Sequence, residues 1–328
     1  MTDRALEMLH VCDRGSALEA DFVPGAGMLC CSLRHRGQEL LAQNAGVDAY
    51  ARLGKTMGIP LLYPWANRLA DFDYSAAGRS VRLPHDPARV HCDANGLPIH
   101  GAVGGLMVWE PVEAGKQAPA GAPSSPASAP GSPDGTPSSL GARLDWSDAQ
   151  PELFELFPFR HELRYDVRLG DGRLRIDVTV HACGADAVPL AFGFHPYLAP
   201  PGSARQRWSI ELPAMRALAL DAQQIPVGPA REHAAECFEL DAREFDDGYD
   251  ALAEPASFVV VAAGRRIELT FLRGYPCAQV FAPATGQFIC FEPMTAPANA
   301  LRSGEGLRLL AAGERFTASF EIAVSESG

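Results

Sequence analysis

Hydrophobic and polar positions alternate with period two along much of this chain. Between Arg160 and Leu169, the residues Leu163, Tyr165, Val167 and Leu169 alternate with Arg164, Asp166 and Arg168. Gly170-Asp171-Gly172 then turns the chain, and Leu174, Ile176, Val178 and Val180 alternate with Arg175, Asp177 and Thr179. Successive side chains of a strand point to opposite faces, so this spacing predicts a hairpin with one buried and one wet face. The same period recurs at Ile267, Leu269 and Phe271, and at Phe316, Ala318, Phe320, Ile322 and Val324. Further strands are expected at Leu29–Leu33, Val81–Leu83, Leu106–Val112, Trp208–Leu212, Phe258–Val261, Ala278–Phe281 and Phe288–Phe291. Helical period is weak; only Glu152–Leu156 and Arg231–Cys237 read as short helices. The expectation is an all-β protein, its antiparallel sheets packed face to face in one large sandwich over residues 1–328.

Composition changes this picture at one place. Gln117 to Gly141 is rich in Pro, Ser, Ala and Gly and carries one charge, Asp134. Such a stretch buries too little apolar area to offset its ordering entropy, so it reads as a flexible insertion in a hairpin loop. Elsewhere 31 glycines and 27 prolines fit a chain with many turns, and 47% hydrophobic residues suffice for a sizeable core.

Charge narrows the partners. The net charge of −12, with very few lysines and no basic cluster, argues against nucleic acid and an anionic membrane surface. The longest apolar run, around Phe258 to Ala263, is far short of a membrane span, and the mixed charges of the first residues do not read as a secretory signal. Eight scattered cysteines show neither a C-x-x-C pair nor zinc-finger spacing. Reduced, mostly buried thiols and a cytoplasmic location are expected. A neutral small molecule suits the balance best.

Five polar groups stand among apolar or aromatic neighbours, where desolvation needs a reason. Asn67 and Arg68 follow the apolar run from Gly58 through Tyr63-Pro-Trp-Ala, and an arginine there offers up to five donors to an oxygen-rich ligand or holds a structural ion pair. His100 lies in Leu97-Pro-Ile-His-Gly, the setting of a core histidine or of a ligand contact. His195 sits among Phe192, Phe194 and Tyr197, where an imidazole packs or serves as acid or base. Glu292 ends the apolar strand Phe288-Ile-Cys-Phe, and burial makes a carboxylate a stronger base. Asp246, in Glu244-Phe-Asp-Asp-Gly-Tyr-Asp, belongs to a turn or accepts ligand hydroxyls. No dinucleotide fingerprint, P-loop, EF-hand or G-x-S-x-G elbow is present.

In order and spacing, these segments resemble the aldose 1-epimerases (galactose mutarotases) and their hexose-6-phosphate mutarotase relatives. The matching runs are Pro64-Trp-Ala-Asn-Arg-Leu, Ile99-His-Gly, Phe157-Pro-Phe, Phe194-His-Pro-Tyr-Leu, Phe245-Asp-Asp-Gly-Tyr, Gln279-Val-Phe, Glu292-Pro and Gly306-Leu-Arg-Leu-Leu-Ala-Ala-Gly-Glu. The resemblance implies a large antiparallel β-supersandwich and an isomerase interconverting the α and β anomers of a free aldose, with no cofactor and no metal. It implies Glu292 as general base and His195 as general acid, with Arg68, His100, Asp246 and Gln279 contacting the sugar. The run Gly193-Phe-His-Pro-Tyr-Leu departs from the Asn-His-x-Tyr-Phe-Asn of galactose-type enzymes and is closer to the divergent and hexose-phosphate branches.

The expected partner is a small sugar, bound by a monomer or homodimer. Rival readings are a hexose-6-phosphate mutarotase, a non-catalytic sugar-binding module, a metal triad of His100, His195 and Glu292, and a glycosidase pair of Asp246 with Glu292. A phosphorylated sugar would need cations gathered from Arg52, Lys55, Arg89 or Arg273 in addition to Arg68.

Overall fold

Two large antiparallel sheets face each other in the computed structural model, which describes residues 6–114 and 138–326. One sheet has nine strands, in the order Glu110–Val112, Ser139–Trp146, His161–Gly170, Arg173–Ala182, Arg315–Glu326, Arg265–Arg273, Ala256–Ala262, Ser209–Leu212 and Glu236–Glu239. Its long strands alternate between buried and partly exposed residues, giving one core face and one wet face. The predicted hairpin is present, and Asp171 and Gly172 both take the positive φ that a tight two-residue turn requires.

The second sheet runs Arg231–His233, Met215–Ala217, Phe245–Asp250, Cys277–Ala282, Ile289–Met294, Gly193–Phe194 and Leu61–Leu62, with Tyr197–Leu198 also paired to Ile289–Met294. Aromatic rings fill the space between the sheets. Tyr165 and Phe320 meet Phe194, and Phe258 stacks on Phe291 at 5.3 Å. A four-stranded sheet over Leu9–Glu39 and three two-stranded ribbons complete the β-structure of the described residues.

Cys277–Ala282 and Ile289–Met294 are buried almost throughout, so both faces of the second sheet are covered at its centre. Since Phe291 packs into the core, its neighbours Cys290 and Glu292 project to the other face. Register carries that face across three strands. Gln279 stands opposite Glu292, and Phe281 stands opposite Cys290 on one side and Asp246 on the other. Pairing alone thus brings Glu292, Gln279 and Asp246 together.

Some sequence expectations need correction. Arg231–Cys237 is not a helix but the strands Arg231–His233 and Glu236–Glu239 around a turn. The strand expected from Leu106 starts at Glu110, after the 3-10 turn Gly104–Leu106. The insertion falls outside the described residues as far as 137, and its last residues, 139–141, belong to the strand Ser139–Trp146. The helix near Glu152 is present as Pro151–Leu156, while Val47–Leu53 and Ala300–Ser303 add two helices. Among the described residues all eight cysteines are free, five of them buried, and no helix is long and apolar enough to cross a membrane.

Candidate active site

The six singled-out residues converge on the covered outer face of the second sheet. Glu292 and His195 are 1% and 4% exposed, and His195 Nε2 lies 3.3 Å from Glu292 Oε1. His195 is carried between Phe194 and Tyr197, its backbone N–H donating to the Pro60 carbonyl. Its ring stacks parallel on Tyr197 at 4.3 Å and meets the edge of Phe281 at 5.8 Å. The Tyr197 hydroxyl lies 3.3 Å from the same Nε2 and 2.5 Å from the Thr56 hydroxyl.

Arg68 and His100 arrive from two segments laced together. The His100 N–H donates to the Asn67 carbonyl, the Ala102 N–H to that of Tyr63, and Arg68 bridges Ile99. Asn67 and His100 both hold positive φ, which non-glycine residues adopt at a cost. Gly101 also has positive φ, and a Cβ there would sit 2.1 Å from the Tyr63 carbonyl oxygen, so only glycine lets the segments approach this closely. The His100 ring stands edge-on to that of His195, centroids 5.3 Å apart.

The guanidinium of Arg68 is shared between carboxylates. Its Nε donates to Asp93 Oδ2 at 2.8 Å and one Nη to Asp246 Oδ2 at 3.3 Å. Gln279 Nε2 donates to the other Asp246 oxygen at 2.7 Å. Asp246 is thereby fixed from two sides, and Glu292 faces an imidazole rather than a second free carboxylate, against the glycosidase reading.

Burial dominates the electrostatics. It pushes the Glu292 carboxyl well above the usual carboxylate range, the nearby Asp246 charge adds to this, and Arg68 opposes it. It pushes His195 down to about 3, with Arg68 adding to the effect. His100 is also driven well below the ordinary imidazole value by burial, His195 and Arg68. Glu292 Oε2 and His100 Nδ1 are buried without a hydrogen-bond partner, two polar atoms a ligand would satisfy. Among the described residues no group of three or more His, Cys, Asp or Glu side chains is arranged to hold a metal ion. His100, His195 and Glu292 thus do not form the triad considered above.

Of the other cations named from sequence, Arg89 is held by Glu155 and the Glu152 carbonyl, and Arg273 by Ser319. Arg52 lies in the last turn of the Val47–Leu53 helix, and Lys55 is exposed just beyond it. Neither contacts Glu292 or His195. Sequence reasoning missed three participants. Tyr197 stands in the aromatic run around His195, while Thr56 and Asp93 carry no signal of their own in the sequence.

Comparison with known proteins points one way. The sequence pattern of the family described as aldose 1-epimerase matches residues 14–323. The Escherichia coli K12 protein named as uncharacterized protein YihR is 23% identical over 279 residues, covering 83% of this chain and 79% of that protein. A galactose mutarotase-like protein of Clostridium acetobutylicum superposes with a TM-score of 0.77 at 14% identity, covering 98% of this chain and 99% of the other. The GalM/aldose epimerase homologue from C. elegans gives 0.73 at 14% identity, covering 99% and 100%. At these identities the solved structures establish the fold.

Proposed function

The chain belongs to the aldose 1-epimerase family, and on that premise we propose that it interconverts the α and β anomers of an uncharged free aldose, with Glu292 as general base and His195 as general acid. The observation that carries this reading is the buried contact between those two side chains, beside the Arg68–Asp246–Gln279 cluster. In a cyclic aldose, O1 and the ring oxygen sit on one carbon. An acceptor for the O1 proton and a donor to the ring oxygen must therefore converge on nearly one point, as a carboxylate and imidazole 3.3 Å apart do. Glycosidase carboxylates stand about 5 Å or more apart.

The chemistry closes without a co-reactant. Glu292 takes the O1 proton, His195 gives a proton to the ring oxygen, and the C1–O5 bond breaks to leave an open-chain aldehyde. Rotation about C1–C2 presents the other carbonyl face. Closure reverses both transfers, so no electron or group leaves the pair. Such acid–base assistance is worth about 10²–10⁴-fold per group. Arg68, Asp246, Gln279 and His100 hold the hydroxyls and fix the ring against the pair.

Before the sugar arrives the buried pair is disposed to hold a proton. Burial penalises both the carboxylate and the imidazolium, so that proton resides on Glu292 beside a neutral His195. Sugar hydroxyls replace the missing solvation and allow it to pass to His195, creating base and acid together. A module that only binds sugar gains nothing from burying this pair.

The neutral substrate rests on the charges around the site. Arg68 is committed to two carboxylates, and Arg89 and Arg273 are tied elsewhere. A phosphate dianion needs charge-assisted donors that these contacts have already used. Polarimetry on glucose, galactose and their 6-phosphates tests the assignment. Faster equilibration of the neutral sugars is expected; a preference for either phosphate contradicts it.

A further inference from the structure

A small cavity of about 10 Å³ lies against His100. Tyr50, Thr56, Leu62 and His91 line it with His100, and neither His195 nor Glu292 does. Its walls are fixed by close approaches. A Cβ on Gly104 would fall 2.4 Å from the Tyr50 ring, and one on Gly54 would fall 2.9 Å from the Cβ of His91. Gly54 also caps the Val47–Leu53 helix at a φ of 67°, a left-handed value that suits glycine. A space of this size admits one water, provided that two or more polar groups hold it.

The cavity wall carries such groups. His100 Nδ1 is buried and has no hydrogen-bond partner within the protein. His100 keeps a part-exposed edge, which leaves Nε2 as the nitrogen that meets a sugar. Thr56 lines the same space, and its hydroxyl lies 2.5 Å from that of Tyr197, which reaches His195 Nε2 at 3.3 Å. A hydroxyl has one proton and two lone pairs, so that of Thr56 has a site to spare. The His91 imidazole, held below its ordinary value by burial, stands on the wall as a neutral third partner. Contacts thus run from His195 through Tyr197 and Thr56 to the cavity, and one water carries them on to His100.

Resting on the function proposed above, we infer that one ordered water in this cavity donates to both His100 Nδ1 and the Thr56 hydroxyl. His100 then keeps its proton on Nε2 as a donor to a substrate oxygen, and Thr56 is a positioning residue for both histidines. The proton count supports this direction. With the Thr56 proton turned to Tyr197, the Thr56 oxygen accepts, and a water has two protons to give. A neutral imidazole has one donor and one acceptor nitrogen, so a proton received at Nδ1 fixes the donor at Nε2. No proton travels along the chain; each group holds the next in place. The two rings, edge-on at 5.3 Å, are thereby tied together from behind as well as across the sugar.

The test reads the wild-type protein directly and then two variants. A high-resolution crystal structure should show a water within about 3.2 Å of both His100 Nδ1 and Thr56 Oγ1. Nitrogen NMR of histidine-labelled protein, with the His100 signals assigned by their loss in His100→Asn, should show a neutral ring protonated on Nε2 at about pH 7. No water at that place, or a proton on Nδ1, overturns the inference. In kinetics with the faster of glucose and galactose, Thr56→Val should raise KM about three- to tenfold, the scale of one neutral hydrogen bond. Thr56→Ser keeps the hydroxyl and should bring KM back to within about twofold of wild type. An unmoved KM in Thr56→Val would show that the hydroxyl serves Tyr197 alone, and overturns the inference while the parent function stands. A wild type inactive on both sugars contradicts the parent function, and the water and the tautomer then decide the inference by themselves.

Discussion

Tyr197 shows how the pair is kept in register. Its hydroxyl touches both Thr56 and the His195 nitrogen that faces Glu292, and its ring lies flat against the imidazole. It acts as a positioning residue that limits the tilt of His195. Tyr197→Phe keeps the stack and removes the hydroxyl, leaving the Thr56 hydroxyl without this partner. We expect kcat to fall about tenfold with KM within about twofold, the pattern of lost orientation rather than lost binding. Thr56→Val should reproduce a smaller part of that fall. A rise in KM at constant kcat would instead place the hydroxyl on the sugar.

The shared proton sets the pH profile. The pair is competent with one proton and idle with two or none, and these steps belong to the pair rather than to either residue. Because burial holds His195 down to about 3, kcat/KM should not decline through an ordinary histidine titration near 6.5. Because burial raises Glu292, loss of the last proton should appear as an alkaline limb. A rate profile with an acid limb centred near 6.5 would show that His195 is solvated in the working enzyme. Much of this site was legible in sequence, because a Glu, a His and an Arg interrupting apolar runs are conspicuous. Gln279 was named only through the family resemblance, and Asp93 and Thr56 act through partners distant in the chain.

At the scale of elements, strand register does the assembling. Side chains alternate across a strand, so a slip of one residue in Ile289–Met294 would turn Glu292 into the core and Phe291 onto the site. Gly193 guards that register. It pairs with Met294 and Leu62, and a Cβ there would lie 2.5 Å from the Pro293 carbonyl oxygen. Gly193→Ala should cost about 1–3 kcal/mol in urea denaturation, the range for overpacking, and lower activity by displacing His195 from Glu292. Unchanged stability would mean that the two strands separate freely.

Long strands were legible because ten-residue alternation has no helical counterpart, as in His161–Gly170 and Arg173–Ala182. The two-residue strands that carry His195 are too short to show a period. Arg231–Cys237 misled because charges flank two alanines, a spacing that suits either structure. Val47–Leu53 gave no start signal, since its N-cap is Gly46 without a side-chain hydrogen bond.

For the whole molecule, the buried histidines link stability to pH. His100, His161 and His195 are all held by burial below their ordinary value, His161 and His195 to about 3. In the unfolded chain each binds a proton as pH falls through about 6.5, while the folded chain does not, so stability is lost on acidification below that value. Glu292 works in the opposite sense, staying protonated in the fold above the value at which the unfolded chain releases its proton. Three buried histidines oppose one buried carboxyl, so unfolding takes up protons on balance and stability rises with pH between about 5 and 7. Urea titrations at pH 5, 6 and 7 should show that gain, and a flat series would contradict the burial of these groups.

The central claim is that a buried carboxylate and imidazole open a hemiacetal by exchanging protons with it, and Glu292→Gln tests it most directly. The amide keeps shape and loses basicity. Anomer exchange of glucose or galactose, whichever the wild type turns over faster, should be followed by polarimetry alongside calorimetric binding of the same sugar. The account predicts a rate at least about 10²-fold below wild type with affinity within a few-fold. A variant that retains more than about a tenth of the wild-type rate would contradict it, since a general base cannot contribute so little.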